Sequence, residues 1–224
     1  MTKEIQAIYY QIRKEIITLK REPGSFLKEV DIARKYNVSR TPIREILSRL
    51  EWDKLIDSDR IKGTRVSKIN LEEIMDIMYV RSQLEISILN EIIDVITPGD
   101  LVKFNMITSD QREMLNNRSL SRKETVDKFL ELEDLFIKMF YRKAAKESIF
   151  AEIDERQITY RRFLYLIFSS YFNVMVDVCR YSEDIVASLR QRDRKKVAEI
   201  CRNQKYIGLD KIRMIKISHP NYFN

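Results

Sequence analysis

One histidine, two cysteines, four glycines and four prolines are all that 224 residues contain of these types, and each scarcity excludes something. With His219 as the only histidine, zinc sites built on clustered histidines and Ser-His-Asp or Cys-His nucleophiles lack their necessary partner. Cys179 and Cys201 cannot make a disulfide framework, and no charged segment followed by an apolar one opens the chain, so a cytoplasmic protein is expected. The shortage of glycine and proline argues for long helices and against a sheet with many tight turns. No run of 18 apolar residues occurs, since even Tyr160 to Val178 is interrupted by Arg161, Arg162 and Asp177, which excludes a membrane span.

What is present fits a folded protein. Hydrophobic residues make up 44% and charged residues 33%, outside the regime of disordered chains, and the length suits one large domain or two small ones. The net charge of +7 is unevenly placed: residues 1–70 hold 16 Lys+Arg against 10 Asp+Glu, and residues 71–224 hold 25 against 24. A basic segment on a near-neutral body is the footprint of a module that neutralises phosphates.

Periodicity organises the first third. Ile5, Ile8, Tyr9, Ile12, Ile16 and Leu19 place residues 4–20 on an amphipathic helix that Pro23-Gly24 ends. A short helix fits Lys28 to Lys35, Asn37 suits the positive φ of a tight turn, and Ser39 stands at the N-cap of a third helix, Arg40 to Asp53, with Pro42 in its first turn. On that helix Ile43, Ile46, Leu47 and Leu50 share one side, while Arg40, Thr41, Arg44 and Ser48 share another. Leu55-Ile56-Asp57 and Thr64-Arg65-Val66 read as two strands of a hairpin. Helix, helix, turn, helix and hairpin describe a winged helix-turn-helix.

Beyond Leu71 the pattern is helical throughout: 71–96, 101–117, 124–146, 147–170, 172–191 and 194–217. The 124–146 helix is apolar on more than one side, with Phe129, Leu132, Phe136 and Met139 on one stripe and Leu130, Ile137 and Tyr141 on another, so it belongs at the centre of a bundle. The fold class is therefore mainly α: a winged helix-turn-helix domain over 1–69, then an all-helical domain over 70–224.

Residues 26–66, and VSRTPIREIL most specifically, resemble the winged helix-turn-helix of the GntR family of bacterial transcription regulators. The all-helical remainder resembles the ligand-sensing FCD domain of its FadR-type subfamily. The resemblance implies a homodimer that binds an inverted-repeat operator in double-stranded DNA. The helix starting at Ser39 then enters the major groove, with Arg40 and Arg44 on guanine edges or phosphates and the hydroxyls of Ser39 and Thr41 on phosphate oxygens. The wing adds Lys62 and Gly63. An arginine on the second helix also touches DNA in a member of the family; Val30 stands at that position here.

Many FCD domains hold a divalent metal with one Asp and three His. The pattern falls on Asp134, Lys138, Ser182 and Gln204, every histidine replaced, so neither metal nor other cofactor is expected. Asp134 and Lys138, four residues apart, suit an ion pair. Arg81 and Glu85 lie on a stripe with Ile74, Met78 and Ile88; the subfamily commonly directs an arginine at this position into its effector cavity, and a self-satisfied buried pair is the other reading. Arg81, Asp134, Lys138, Ser182 and Gln204 thus outline an expected effector pocket in which Arg81 and Lys138 would bind a small organic anion without metal. The function expected is a DNA-binding transcription repressor under effector control. An effector-less dimeric DNA-binding protein and a basic helical adaptor for protein or RNA are the alternatives; an enzyme is not expected, for want of a catalytic constellation.

Overall fold

A computed structural model describes residues 2–59 and 61–224. Its elements are α1 (Lys3–Ile17), α2 (Glu29–Tyr36), α3 (Arg40–Trp52), β1 (Ile56–Asp59), β2 (Gly63–Val66), α4 (Leu71–Ile92), α5 (Pro98–Asn116), α6 (Arg122–Lys143), α7 (Glu147–Arg156), α8 (Ile158–Ser170), α9 (Phe172–Gln191), α10 (Arg194–Lys205), a short 3-10 turn (Leu209–Lys211) and α11 (Ile212–Ser218). They form two compact units: one of Met1–Ile74, Arg156–Leu166 and Met214–Asn224, the other of Met75–Glu155 and Ile167–Arg213. A single cut after residue 69 does not describe this division, because two segments of the C-terminal half pack with the N-terminal one.

The first unit is built on isoleucine. Ile12 and Ile16 of α1 and Ile43, Ile46 and Leu50 of α3 are wholly buried in one cluster, to which α8 contributes Ile158. Thr2 caps α1 through Ile5 N–H. At the other end of α1 the buried carboxylate of Glu15 accepts from Arg21 Nε and Lys35 Nζ, each at 2.7 Å, and so ties α1 to α2. Asn37 takes φ 52° after α2, which turns the chain sharply enough to start α3 three residues later. The hairpin is antiparallel, pairing Ile56 with Val66 and Asp59 with Gly63. Beyond it, Ile69 N–H donates to Tyr222 O at 2.8 Å and Phe223 is buried beside this bridge.

The second unit is a helical bundle in which α5 contacts both α6 and α9, and α9 contacts α10. Capping boxes start α5 (Thr97 with Asp100) and α6 (Ser121 with Glu124), so both helices begin earlier than apolar periodicity indicates. Phe104, Phe136 and Phe140 meet with ring centroids 4.8–5.7 Å apart at the bundle centre, as expected of the helix with more than one apolar side.

Two long helices read from the sequence are broken. The stretch 147–170 divides into α7 and α8, with Gln157 buried between them; no glycine or proline marks this break, and tertiary packing made it. The stretch 194–217 breaks at Gly208, whose φ of 82° no helix accommodates and whose missing Cβ would lie 2.8 Å from Ile167 Cγ2.

Candidate nucleic-acid interface and buried polar cluster

The N-terminus of α3 presents a polar, cationic face because Ile43, Ile46, Leu47 and Leu50 are drawn to the opposite side. Ser39 occupies the N-cap with extended backbone, yet its hydroxyl caps nothing and points from an exposed residue. Arg40 and Thr41 are exposed, with no hydrogen bond or ion pair for Arg40 among the described residues. Arg44 is also exposed, its Nε 3.1 Å from Glu29 Oε2 on α2, which leaves the Nη groups at the surface. Val30, next along α2, is 40% exposed.

The wing belongs to the same unit as this face. Asp59 Oδ1 accepts from the N–H groups of Ile61 and Lys62, both at 2.7 Å, which closes the turn and holds the Asp59 carboxyl below its usual range. Gly63 follows with φ 78°. Lys62 and Gly63 are exposed at the tip. Arg65 stacks on Phe26, its guanidinium 3.9 Å from the ring centroid. Ser39, Arg40, Thr41 and Arg44 therefore gather on one helical turn, with Lys62 and Gly63 on the hairpin of the same unit.

The expected effector residues are not gathered in the same way. Arg81 is buried and ion-paired with Glu85 at 3.3 Å. Ser182 is fully buried and donates to Val178 O at 3.1 Å, while Gln204 is buried. Asp134 is only half-buried and Lys138 is exposed, so Lys138 is not a cation of the pocket. The inward stripe of α6 runs through Phe129, Glu133, Phe136 and Phe140, one helical position away from the expected one. Glu133 is the group that the sequence reading missed: Gln204 Nε2 donates to its Oε1 at 3.0 Å and Gln111 Nε2 to its Oε2 at 3.1 Å. Its spacing, four after Phe129 and three before Phe136, was the available signal. Gln111 is completely buried on α5, and its Oε1 has no partner.

These residues do not fit a transition-metal centre. The two oxygens of Glu133 already accept from amides, the Ser182 hydroxyl is committed to a carbonyl, and among the described residues no three His, Cys, Asp or Glu converge as ligands. Cys179 lies nearby, its thiol pushed up to about 11 by burial and by the Glu183 carboxylate. No single helix among the described residues is long and apolar enough to cross a membrane.

A winged helix-turn-helix with an exposed cationic helix N-terminus, joined to a helical bundle, defines a DNA-binding transcription regulator. Residues 4–66 match the family model described as bacterial regulatory proteins, gntR family. The HTH-type transcriptional repressor RspR of Escherichia coli (strain K12) is 24% identical over 219 residues, covering 98% of this chain and 93% of that protein. The gluconate operon transcriptional repressor of Bacillus subtilis is 32% identical over 88 residues, 39% of this chain and 36% of that one. Among solved structures, E. coli McbR/YncC superposes with a TM-score of 0.68 at 15% identity, covering 98% of this chain and all of that one. A GntR regulator from Rhodococcus sp. RHA1 gives 0.66 at 16%, covering 96% and 98%. Both cover the helical unit as well as the winged one.

Proposed function

We propose that this regulator reads its operator through Arg40 and Arg44, with Ser39, Thr41 and the wing residues Lys62 and Gly63 on phosphates. The observation that carries this reading is the single exposed turn of α3 on which Arg40, Thr41 and Arg44 stand together. Binding-site selection from random double-stranded DNA supplies the operator for the test. Arg44→Ala should then cost roughly 1–3 kcal/mol and relax one base preference, whereas Lys62→Ala should weaken all sequences alike and lower the salt slope by about one unit. An Arg44→Ala protein with unchanged affinity and preference refutes the docking.

The reading extends to a cytoplasmic repressor that binds an inverted repeat as a homodimer through its helical unit. In favour of the dimer, Val102 and Met106 on α5 and Leu135 on α6 are 58%, 60% and 44% exposed on one face. The short connection 117–121 makes α5 and α6 antiparallel, so exposed Lys103 and Arg142 lie at one end of this face and Glu113 and Glu131 at the other. A two-fold axis across the helices sets the basic end of one copy on the acidic end of the next.

For the helical unit we infer an FCD-like sensor that works without metal at the Glu133–Gln111–Gln204 cluster. The unpartnered Gln111 Oε1 supports a small organic ligand that donates a hydrogen bond there, because a buried acceptor left unmade is costly. A carboxylate on that ligand would have Arg81 as its cation, Lys138 being outside. Thermal-shift screening of small hydroxy acids against the wild type and Gln111→Leu tests this: stabilisation by a ligand in the wild type alone supports the site, and equal stabilisation of both refutes it.

A further inference from the structure

Arg162, on α8, is the most buried charged side chain among the described residues, 1% exposed, and its partners lie in the DNA-binding unit. Its Nη1 donates to Ser67 Oγ at 2.9 Å and its Nη2 to Ser67 O, across 95 positions of sequence. Ser67 is the residue at which the wing ends. It also donates through Oγ to Lys54 O at 2.8 Å and through its N–H to Leu55 O at 3.0 Å. Lys54 and Leu55 form the turn that leaves α3, with Lys54 at φ 57°. One guanidinium therefore holds the junction of the recognition helix with the base of the wing.

The arrangement is not explained by stability. No carboxylate lies within ion-pairing distance of Arg162 among the described residues; Asp57 and Glu73 face it only at longer range, and burial brings its guanidinium down to about 10. Its Nε has no partner. A buried cation without a salt bridge is a poor stabiliser, and an apolar side chain of similar volume is often as good or better. What a planar donor fork supplies instead is a fixed geometry between two backbone segments.

We propose that Arg162 is a positioning residue for DNA binding: by clamping Ser67 it sets the wing against the recognition helix, so that the wing tip and α3 meet DNA together. The proposal rests on the wing being a DNA contact, as read above. Loss of the clamp should leave the fold intact and release the wing, removing its share of phosphate contacts.

The test is a double-mutant cycle between Arg162→Met and Lys62→Ala, read as operator affinity against salt in the full-length protein, with thermal unfolding as the control. In the wild type, Lys62→Ala should lower the salt slope by about one unit. In the Arg162→Met background the slope should already be lower, and Lys62→Ala should then change affinity by less than about twofold. Ser67→Ala, which removes one of the two acceptors without touching the buried charge, should fall between the wild type and Arg162→Met and keeps the test available if that variant fails to fold. Fully multiplicative effects of Lys62→Ala in the variant backgrounds overturn the proposal while leaving the wing contact standing. A Lys62→Ala protein that binds like the wild type overturns the wing contact, and the proposal with it.

Discussion

Glu15 is a buried charge held by direct partners, and those partners decide the sign of its effect. Burial acts to raise the Glu15 carboxyl, but hydrogen bonds from Lys35 and Arg21 outweigh it and hold the group down to about 2 against an ordinary 4.5. A depressed carboxyl contributes stability that is fully present above pH 4.5 and is lost as pH falls through about 2. Glu15→Gln should therefore cost roughly 2 kcal/mol at neutral pH and flatten the acid limb of the unfolding curve between those two values. An unaltered acid limb in urea melts from pH 5 to 2 would show that the ion cluster does not couple α1 to α2.

Elements in this chain end where local chemistry and packing agree, and Gly208 is the clearest case. Its φ of 82° is costly for any residue with a Cβ, and that Cβ would lie 2.8 Å from Ile167 Cγ2, closer than real contacts allow. Gly208→Ala should cost about 2 kcal/mol or more, from the left-handed backbone together with displacement of Ile167. The corresponding fall of several degrees in melting temperature is the measurement; an unchanged melting temperature would show that α10 can run on through this point. The break between α7 and α8 is of another kind. Residues 156–158 carry no stop signal, and Ile158 is instead placed by its burial in the isoleucine cluster of the N-terminal unit.

At the scale of the whole molecule, the expected assembly depends on the face of α5 and α6. Met106→Glu and Leu135→Glu put charge on the apolar centre of that face and should give monomers at micromolar concentration by sedimentation, with operator affinity falling as the two half-sites become independent. Lys103→Glu should weaken the dimer, and adding Glu113→Lys should restore it, since each change reverses the other across the two-fold axis. Dimers that persist in both glutamate variants move the interface elsewhere on the helical unit.

The winged helix-turn-helix was legible because every signal for it is local: isoleucines at helical spacing, Asn37 at the turn, and a helix whose apolar and basic residues separate on a wheel. The cationic face of α3 follows from that separation alone. The order of helices after Leu71 was legible too, although capping residues rather than apolar periodicity fix where α5 and α6 begin. Only the tertiary structure decided which polar residues turn inward. A helical wheel with apolar residues on several sides does not rank Glu133 above Asp134, and a shift of one position moves a side chain by 100°; packing of α5 and α10 around α6 made the choice and left Lys138 in solvent. Likewise, nothing within reach of Arg162 in sequence names Ser67 as its partner. That contact exists because α8 turns its first half into the DNA-binding unit, and long-range contacts of this kind are set by the packing of whole elements.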